Sequence, residues 1–227
     1  MTIVIAPGYT ALMTHRQEKS RTRSAGKREP ARDRIVRSAG ELVRERGVHG
    51  AGLRQIVAHA DGPRGSLQRY FPGGKTQLVT EALNLAAAEV LVDTESQLVE
   101  AANLAEAIDA IFAPWRQVLV NSNFTMGCPV AATVVDASRD DQLRQEARAL
   151  LAQMQDSVRD ALVGFGVPNS SADDDASVLL AALEGALILS RANQSTQPLD
   201  PVQRFFTKSL TQAAAKPVPP RRARNRR

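Results

Sequence analysis

The sequence is poor in cysteine, in aromatic residues and in long apolar runs, and each shortage excludes a class of protein. Cys128 is the only cysteine among 227 residues, so no intrachain disulfide can form, as suits a reducing cytoplasm. No run approaches the ~20 consecutive apolar residues that a membrane-spanning helix needs. Aromatic residues make up 4% of a chain that is 43% hydrophobic, and this Ala- and Leu-rich composition favours helices. We therefore predict an all-α protein.

Histidine is also scarce, which weakens every enzymatic or metal-binding interpretation. The three histidines are His15, His49 and His59, so none follows residue 59 to serve as a base for the Cys128 thiol. No Cys and His spacing matches a metal site. The segment GGKT at 73–76 lacks both the first glycine of a phosphate-binding loop and a preceding strand. We expect no enzyme, no metal and no cofactor. Cys128 is interpreted as a structural or pocket-lining residue, with redox sensing as the alternative.

Charge is distributed unevenly along the chain. Residues 1–28 carry a net +5, residues 29–79 carry +4, residues 80–212 carry −10 and residues 213–227 carry +6. A basic front on an acidic body indicates a polyanionic partner that is held at one end of the molecule. Residues 1–28 are predicted to be a flexible basic arm, with Met13 as the natural start. Residues 215–227 are predicted to be a disordered, arginine-rich tail. Contact with a polyanion and simple solubility are both compatible with these two segments.

Apolar periodicity predicts helices along the rest of the chain. Ile35, Ala39, Leu42 and Val43 form one helical face that should end at Gly47 in a left-handed cap. Two short helices then flank a turn at 60–63, and a long helix starts near Lys75. Further helices are predicted near 103–121, with a kink at Pro114, and near 128–137, 140–164, 172–193 and 199–214. Ser170 or Ser171 is a candidate cap for the helix that starts near 172.

The two short helices, Leu53–His59 and Arg64–Tyr70, have the outline of a helix-turn-helix. A helix of this kind fits the major groove of DNA while its partner braces it across the backbone. Arginine can bind guanine through two acceptors, glutamine can do the same for adenine, and Lys75 at a helix start suits a phosphate. A plain helical hairpin with solvated charges is the alternative. The candidate DNA-binding residues are Arg54, Arg64, Gly65, Ser66, Gln68, Arg69, Tyr70 and Lys75.

The run IVAHADGPRGSLQRYFPGGKTQLV at 56–79, after IVRSAGELVRERG, resembles the N-terminal domain of the TetR family. The double glycine of FPGGK, MGCPVAAT at 126–133 and LEGALILSRANQSTQPL at 183–199 resemble the LmrA/YxaF branch. This resemblance implies a three-helix DNA-binding domain at 29–79 and a larger helical effector-binding and dimerisation domain at 80–214. It also implies a bacterial repressor that binds double-stranded operator DNA as a homodimer and is released by a small, mostly apolar effector.

The motif departs from the family pattern at three places. Asp61 stands where the family has a turn glycine, and we expect the neighbouring Gly62 to adopt the left-handed conformation. Ala51 and Gly52 replace the usual Ser or Thr cap of the second helix, a loss of about 1 kcal/mol. Gln68 replaces a tyrosine and adds a possible adenine contact. These departures leave the operator preference open, whereas they do not affect the expectation of DNA binding.

The C-terminal domain offers candidates for an effector pocket. Aromatic, sulfur-containing and leucine side chains in it could line a cavity, and Arg116, Gln117 and Glu184 could be its polar anchors. A filled core is the alternative, because such residues at helical spacing often only pack. The candidate pocket residues are Phe112, Trp115, Leu119, Phe124, Met126, Cys128, Met154 and Phe165.

The predicted helix at 172–193 is apolar around most of its circumference, which favours contact with a second copy. The candidate interface residues are Leu179, Ala182, Leu183, Gly185, Ala186 and Leu189. A helix buried wholly inside one protomer is the alternative. For the whole chain, the alternatives to a repressor are a helical protein-interaction module without specific DNA binding and an enzyme in the C-terminal body.

Overall fold

We analysed a computed structural model, which describes residues 29–63, 65–137 and 139–215. The predicted arm at 1–28, Arg64 and all but the first residue of the predicted tail lie outside these ranges. The described residues form helices and no strand, which confirms the all-α prediction, and none of these helices is long and apolar enough to cross a membrane. The helices are α1 (Ala31–Gly50), α2 (Leu53–His59), α3 (Ser66–Tyr70), α4 (Gly74–Glu100), α5 (Leu104–Asn121), α6 (Pro129–Asp136), α7 (Asp141–Gly164), α8 (Asn169–Asn193) and α9 (Leu199–Ala214).

Helices α1–α3 form the part that we call the head. The predicted face of α1 is buried, with Ile35, Ala39 and Val43 fully enclosed. Gly47 has a φ of 73°, as the left-handed cap predicts, but one further helical turn follows it and ends at Gly50. Glycine is needed at this position because L residues rarely adopt such a φ.

The turn between α2 and α3 corrects one prediction. Asp61, with a φ of 48°, adopts the left-handed conformation that was expected of Gly62. Aspartate tolerates this region better than most residues, and Arg34 braces the turn by donating to the carbonyls of Ala60 and Asp61 at 3.0 and 2.9 Å. Gly62 serves a different purpose, because an added Cβ there would lie 3.3 Å from side-chain atoms of both Ile35 and Val57.

Helix α3 is shorter than the predicted Arg64–Tyr70 because it begins at Ser66. Gly65, with a φ of 86°, precedes it in the left-handed conformation. Phe71 follows the helix and is buried in the head. This short helix is therefore fixed by a glycine at its start and an aromatic anchor at its end.

Helices α4–α9 form the body. Helix α4 packs against α1, α5 and α7, while α6 also contacts α1, and α8 lies against α7 and α9. One apolar core extends from Ile35 in the head to Leu210 in α9. The predicted domain boundary at 79–80 falls inside α4, so this helix belongs structurally to both parts.

The start of α8 differs in detail from the sequence-based prediction. Helix α8 begins at Asn169, directly after Pro168, and has no side-chain cap from Ser170 or Ser171. Proline suits this position because it has no N–H to leave unpaired. Helix α5 continues through Pro114 to Asn121.

Candidate nucleic-acid interface and effector cavities

Three arginines in the first half of α1 are occupied by structural contacts. Arg32 pairs with Glu81 at 2.5 Å and Arg37 pairs with Glu89 at 2.8 Å, so both tie α1 to α4. Arg34 donates to three carbonyls, including that of Glu29 at 2.7 Å. These positive charges stabilise the head, and they are not the free cations that a DNA surface needs.

Three of the predicted DNA-binding side chains, by contrast, are not engaged in such contacts. Arg54 on α2 and Gln68 on α3 are exposed, and Lys75 is half-buried at the start of α4. In the described part of the chain, none of these three makes a hydrogen bond or an ion pair. Their polar groups are therefore available to an external partner.

The other predicted contacts of α3 are placed less uniformly. Arg69 is exposed and its guanidinium carbon lies 5.8 Å from the centre of the Tyr70 ring, a cation–π contact. Tyr70 is half-buried, and Ser66 is only 6% exposed, with an Oγ that has no hydrogen-bond partner among the described residues. Ser66 therefore packs into the head, whereas Gly65 is exposed beside it.

The start of α4 has the features of an anion site. Gly73 donates its backbone N–H to Oε1 of Gln77 at 2.9 Å, and the first turn contains no acidic residue. The positive end of the helix dipole and the ammonium of Lys75 lie at this turn. A phosphate would be stabilised here by both charges.

A polar link joins the head to α6 of the body. The backbone N–H of His49 donates to Oδ2 of Asp136 at 2.6 Å, and Nδ1 of His49 lies 2.9 Å from Oδ1. The His49 N–H holds the pKa of Asp136 below its usual value. An added Cβ at Gly47 would lie 2.8 Å from Oδ2, so this glycine lets the carboxylate approach. Periodicity could not predict this link, because its partners are 87 residues apart.

Most of the predicted effector-pocket residues are buried in the apolar core. Phe112, Trp115, Leu119, Cys128 and Met154 are buried in the main apolar cluster, and Phe124 and Phe165 pack against it. Met126 alone of the eight lines either of two cavities that the described residues form elsewhere.

The first cavity, of about 320 Å³, lies between α1, α4 and α5. The second is an open groove of about 530 Å³ between α6, α7 and α8. Of the predicted polar anchors, Gln117 lines the first cavity and Glu184 lines the groove, while Arg116 pairs with Asp200 at 2.7 Å. Sequence reasoning missed Arg44, which lines the first cavity. The available signal was its spacing, because Val36, Gly40 and Arg44 follow one another at i, i+4 and i+8 on the inner side of α1.

Cys128 has the environment of an unreactive thiol. It is buried at the start of α6, where its Sγ accepts from the backbone N–H of Ala131 at 3.4 Å. Burial raises the pKa of the thiol, and the nearby carboxylate of Glu184 raises it further. Since the thiolate is the reactive form, this environment favours a structural residue.

The predicted interface residues of α8 divide between two sides of the helix. Leu179, Leu183 and Ala186 are buried against the protomer's own core, and Ala182 is half-buried. Gly185 and Leu189 are exposed. Other apolar residues are exposed on α8 and α9, which sequence reasoning did not select: Val178, Ile188 and Phe205. The free face of α8 is thus the side that carries Val178, Gly185, Ile188 and Leu189.

Comparison with known proteins agrees with this geometry. Residues 35–82 match the family model described as bacterial regulatory proteins, tetR family. Residues 105–205 match the model of the LmrA/YxaF-like transcriptional regulator C-terminal domain. The first match covers the helix-turn-helix and the second covers most of the body.

Similar proteins are regulators in several bacteria. An uncharacterized HTH-type transcriptional regulator of Mycobacterium tuberculosis (strain ATCC 25618 / H37Rv) is 36% identical over 180 residues, which cover 76% of this chain and 90% of that protein. The HTH-type transcriptional regulator LmrA of Bacillus subtilis (strain 168) is 27% identical over 170 residues, covering 74% and 90%.

Among solved structures, a TetR transcriptional regulator from Legionella pneumophila superposes with a TM-score of 0.73 at 18% identity, covering 81% of this chain and 99% of that one. A TetR regulator from Chloroflexus aurantiacus J-10-FL gives a TM-score of 0.65 at 25% identity, covering 80% and 94%. The fold, the two matched models and the exposed helix-turn-helix lead to one conclusion: the chain belongs to the TetR family of DNA-binding transcriptional regulators, in its LmrA/YxaF-like branch, and is not an enzyme.

Proposed function

We propose that this regulator is a ligand-responsive repressor that binds operator DNA as a homodimer in the cytoplasm and is released by a small, mostly apolar effector. The observation that carries the proposal is a contrast between side chains of the head and of the first turn of α4. Arg32, Arg34 and Arg37 of α1 are engaged in structural contacts. Arg54, Gln68 and Lys75 make no hydrogen bond or ion pair within the described ranges. Free polar groups on a helix-turn-helix are what base and phosphate contacts require.

The roles we assign follow from side-chain chemistry. Arg64 and Gln68 read base edges, because arginine and glutamine bind guanine and adenine through paired hydrogen bonds. Arg54, Tyr70, Lys75 and the first turn of α4 bind phosphates, and Arg69 supplies positive charge beside them. Gly65 lets the backbone approach the DNA, and the buried Ser66 positions α3.

The dimer proposal depends on the outer surfaces of α8 and α9. Ile188, Leu189 and Val178 on α8 are 68%, 56% and 57% exposed, and Phe205 on α9 is 64% exposed. Exposed apolar groups gathered on consecutive helices are typical of a surface that another protein covers. A second copy suits it, because two heads are needed to read two half-sites about 34 Å apart.

A helical interaction module without specific DNA binding is the second candidate. The same exposed apolar face favours it, since another protein could cover that face. The two candidates differ in one measurable property: only the repressor prefers particular DNA sequences over bulk competitor.

The experiment is selection of binding sites from random duplex DNA by the full-length protein, followed by titrations of the selected site at several salt concentrations. We expect a preferred sequence and a steep salt dependence. Gln68→Ala should relax base preference and weaken the selected site by about 1–3 kcal/mol. Lys75→Ala should weaken all sequences alike and reduce the salt slope.

Arg144→Ala is the matched control, because Arg144 is an exposed cation on α7 that pairs with Asp141. Arg144→Ala should change neither the base preference nor the salt dependence of DNA binding. Failure to select any sequence at low salt would refute the repressor and favour the interaction module.

A further inference from the structure

The cavity between α1, α4 and α5 is a candidate ligand site. Its volume of about 320 Å³ lies at the lower end of the range of about 300–1,000 Å³ that is typical of small-molecule sites. Its walls combine apolar side chains, among them Leu85, Val90, Val118 and Met126, with polar and charged residues. One wall belongs to the head and the others belong to the body.

One of the charged lining residues is a buried cation. Arg44 of α1 is 8% exposed. Among the described residues its guanidinium makes a single hydrogen bond, to the carbonyl of Ala86 at 3.5 Å, and no ion pair. Burial lowers the pKa of Arg44. A guanidinium has five N–H donors, and burying them without acceptors is costly.

The acidic residues that line the cavity do not supply these acceptors. Glu89 accepts from Arg37 at 2.8 Å, and Glu41 lies 3.7 Å from Nδ1 of His59. Asp93 is exposed. Glu41 and Glu89 attract Arg44 electrostatically, as Cys128 would in its thiolate form, but none of them forms a hydrogen bond or ion pair with it in the described structure. The cavity therefore has an apolar portion of its lining and a buried cation that forms no ion pair among the described residues.

We propose that this cavity is the effector site of the regulator and takes a small organic monocarboxylate, whose carboxylate pairs with Arg44. The apolar part of the ligand lies against Val90, Val118 and Met126. A carboxylate matches the planar fork of a guanidinium with two parallel hydrogen bonds. The proposal deepens the proposed function, on which it rests, by naming the ligand class and its place.

The position of the cavity allows a bound ligand to change the affinity of the protein for DNA. A ligand held between α1 and α4 contacts the head and the body at once, so its affinity depends on how the two are arranged. The loop after α5 is also tied to α1, since the N–H of Gly127 donates to the carbonyl of Arg44 at 3.3 Å. Ligand and operator are then coupled, and each changes the affinity of the other by the same factor.

The test is isothermal titration calorimetry of the full-length protein with octanoate, phenylacetate and indole-3-acetate. Octanamide serves as an uncharged probe of the same shape as octanoate. Arg44→Met removes the charge and keeps an apolar side chain of similar length, so no unpaired buried charge remains. Arg46→Met is the matched control, because Arg46 is an exposed arginine of α1 that does not line the cavity.

We expect at least one carboxylate to bind the native protein and Arg46→Met equally. The dissociation constant should rise at least about tenfold in Arg44→Met, and octanamide should bind at least about tenfold more weakly than octanoate. The comparison of octanoate with octanamide uses the native protein alone, so it stands even if Arg44→Met does not fold. A selected operator duplex should shift the affinity for the carboxylate.

The proposal is overturned if no carboxylate binds at up to about 5 mM, a weak-affinity limit, or if octanamide binds as well as octanoate. It is also overturned if Arg44→Met folds and binds like the native protein, or if operator leaves the carboxylate affinity unchanged. The two proposals fail separately. Carboxylate binding through Arg44 without any DNA preference would refute the repressor, whereas operator binding without carboxylate binding would refute only the cavity.

Discussion

Arg34 shows how one side chain holds the helix-turn-helix together. Its guanidinium donates to the carbonyls of Glu29, Ala60 and Asp61, so it connects the start of α1 to the turn between α2 and α3. Carbonyls at the end of a short helix otherwise lack partners. The orientation of α3 therefore depends on a residue that contacts no DNA in our proposal.

We predict that Arg34→Met lowers the free energy of unfolding by about 2–3 kcal/mol, because several charge-assisted hydrogen bonds are lost at once. Urea unfolding followed by circular dichroism measures the change. Arg46→Met is the control and should stay within about 0.5 kcal/mol, since its pair with Glu45 is exposed. Equal effects of the two substitutions would contradict the bracing role.

Glu184 gives a second prediction at the residue scale. Burial raises the pKa of its carboxyl, and its Oε1 has no hydrogen-bond partner among the described residues. Because the pKa is raised in the folded state, the protonated form is favoured by folding. The folded state thus loses stability as pH rises through the folded pKa, and it is unaffected below the unfolded value.

Glu184→Gln should consequently stabilise the protein at neutral pH relative to acid pH, because the amide does not carry the ionisable group whose pKa burial raises. The advantage should shrink as the pH falls below the ordinary glutamate value of about 4.3. Thermal unfolding of both proteins from acid to neutral pH, at one fixed protein concentration, measures it. The acid range provides the internal control, and a difference that is independent of pH would argue against a buried charge as the cause.

At the scale of elements, helix positions could be read from the sequence because their signals are local. The stripe Ile35, Ala39, Leu42 and Val43 repeats at helical spacing, and Gly65 and Pro168 stand next to helix starts. The same local rules were wrong about Gly62, because the conformation of this turn depends on distant Arg34. Propensity favours glycine in the left-handed region, but two hydrogen bonds from Arg34 of α1 stabilise the turn with Asp61 in that conformation.

The candidate site was predictable only in part for the same reason. Exposure of Arg54 and Gln68 follows from their places on short amphipathic helices. The burial of Arg44 and the filling of the space around Phe112 and Trp115 depend on how α1, α4 and α5 pack, which no local pattern records. Periodicity identifies inward residues, but it does not tell whether they meet each other or a cavity.

Helix α6 connects the body to the head through one carboxylate, and this contact yields the prediction at the element scale. Asp136→Ala removes the acceptor of the His49 N–H and should destabilise the protein by about 1–2 kcal/mol. Amide hydrogen exchange at residue 49 should become faster, because that N–H loses its partner. Asp160→Ala is the control, since Asp160 only pairs with the adjacent Arg159 on the exposed side of α7. Unchanged protection at residue 49 would mean that α6 is held by apolar packing alone.

For the molecule as a whole, the distribution of charge and apolar surface suits the helix-turn-helix to DNA and the outer surfaces of α8 and α9 to another protein. Arginines in the head are engaged by Glu81 and Glu89 at the start of the body, which leaves the helix-turn-helix cations for DNA. The body carries excess acid and would be repelled by the same DNA. Its exposed apolar residues on α8 and α9 are thus directed to protein rather than to nucleic acid.

The last prediction tests that division. Ile188→Glu places a charge on the most exposed large apolar side chain of α8, and in a two-fold interface the charge appears twice. We expect the protein to sediment as a monomer at micromolar concentration, with its helical circular dichroism retained, and to lose operator affinity because two half-sites no longer bind together. Val99→Glu is the control, since Val99 is 75% exposed near the end of α4, outside this face. If Ile188→Glu stays dimeric while it binds operator normally, the second copy contacts another surface, and the groove between α6, α7 and α8 becomes the next surface to test.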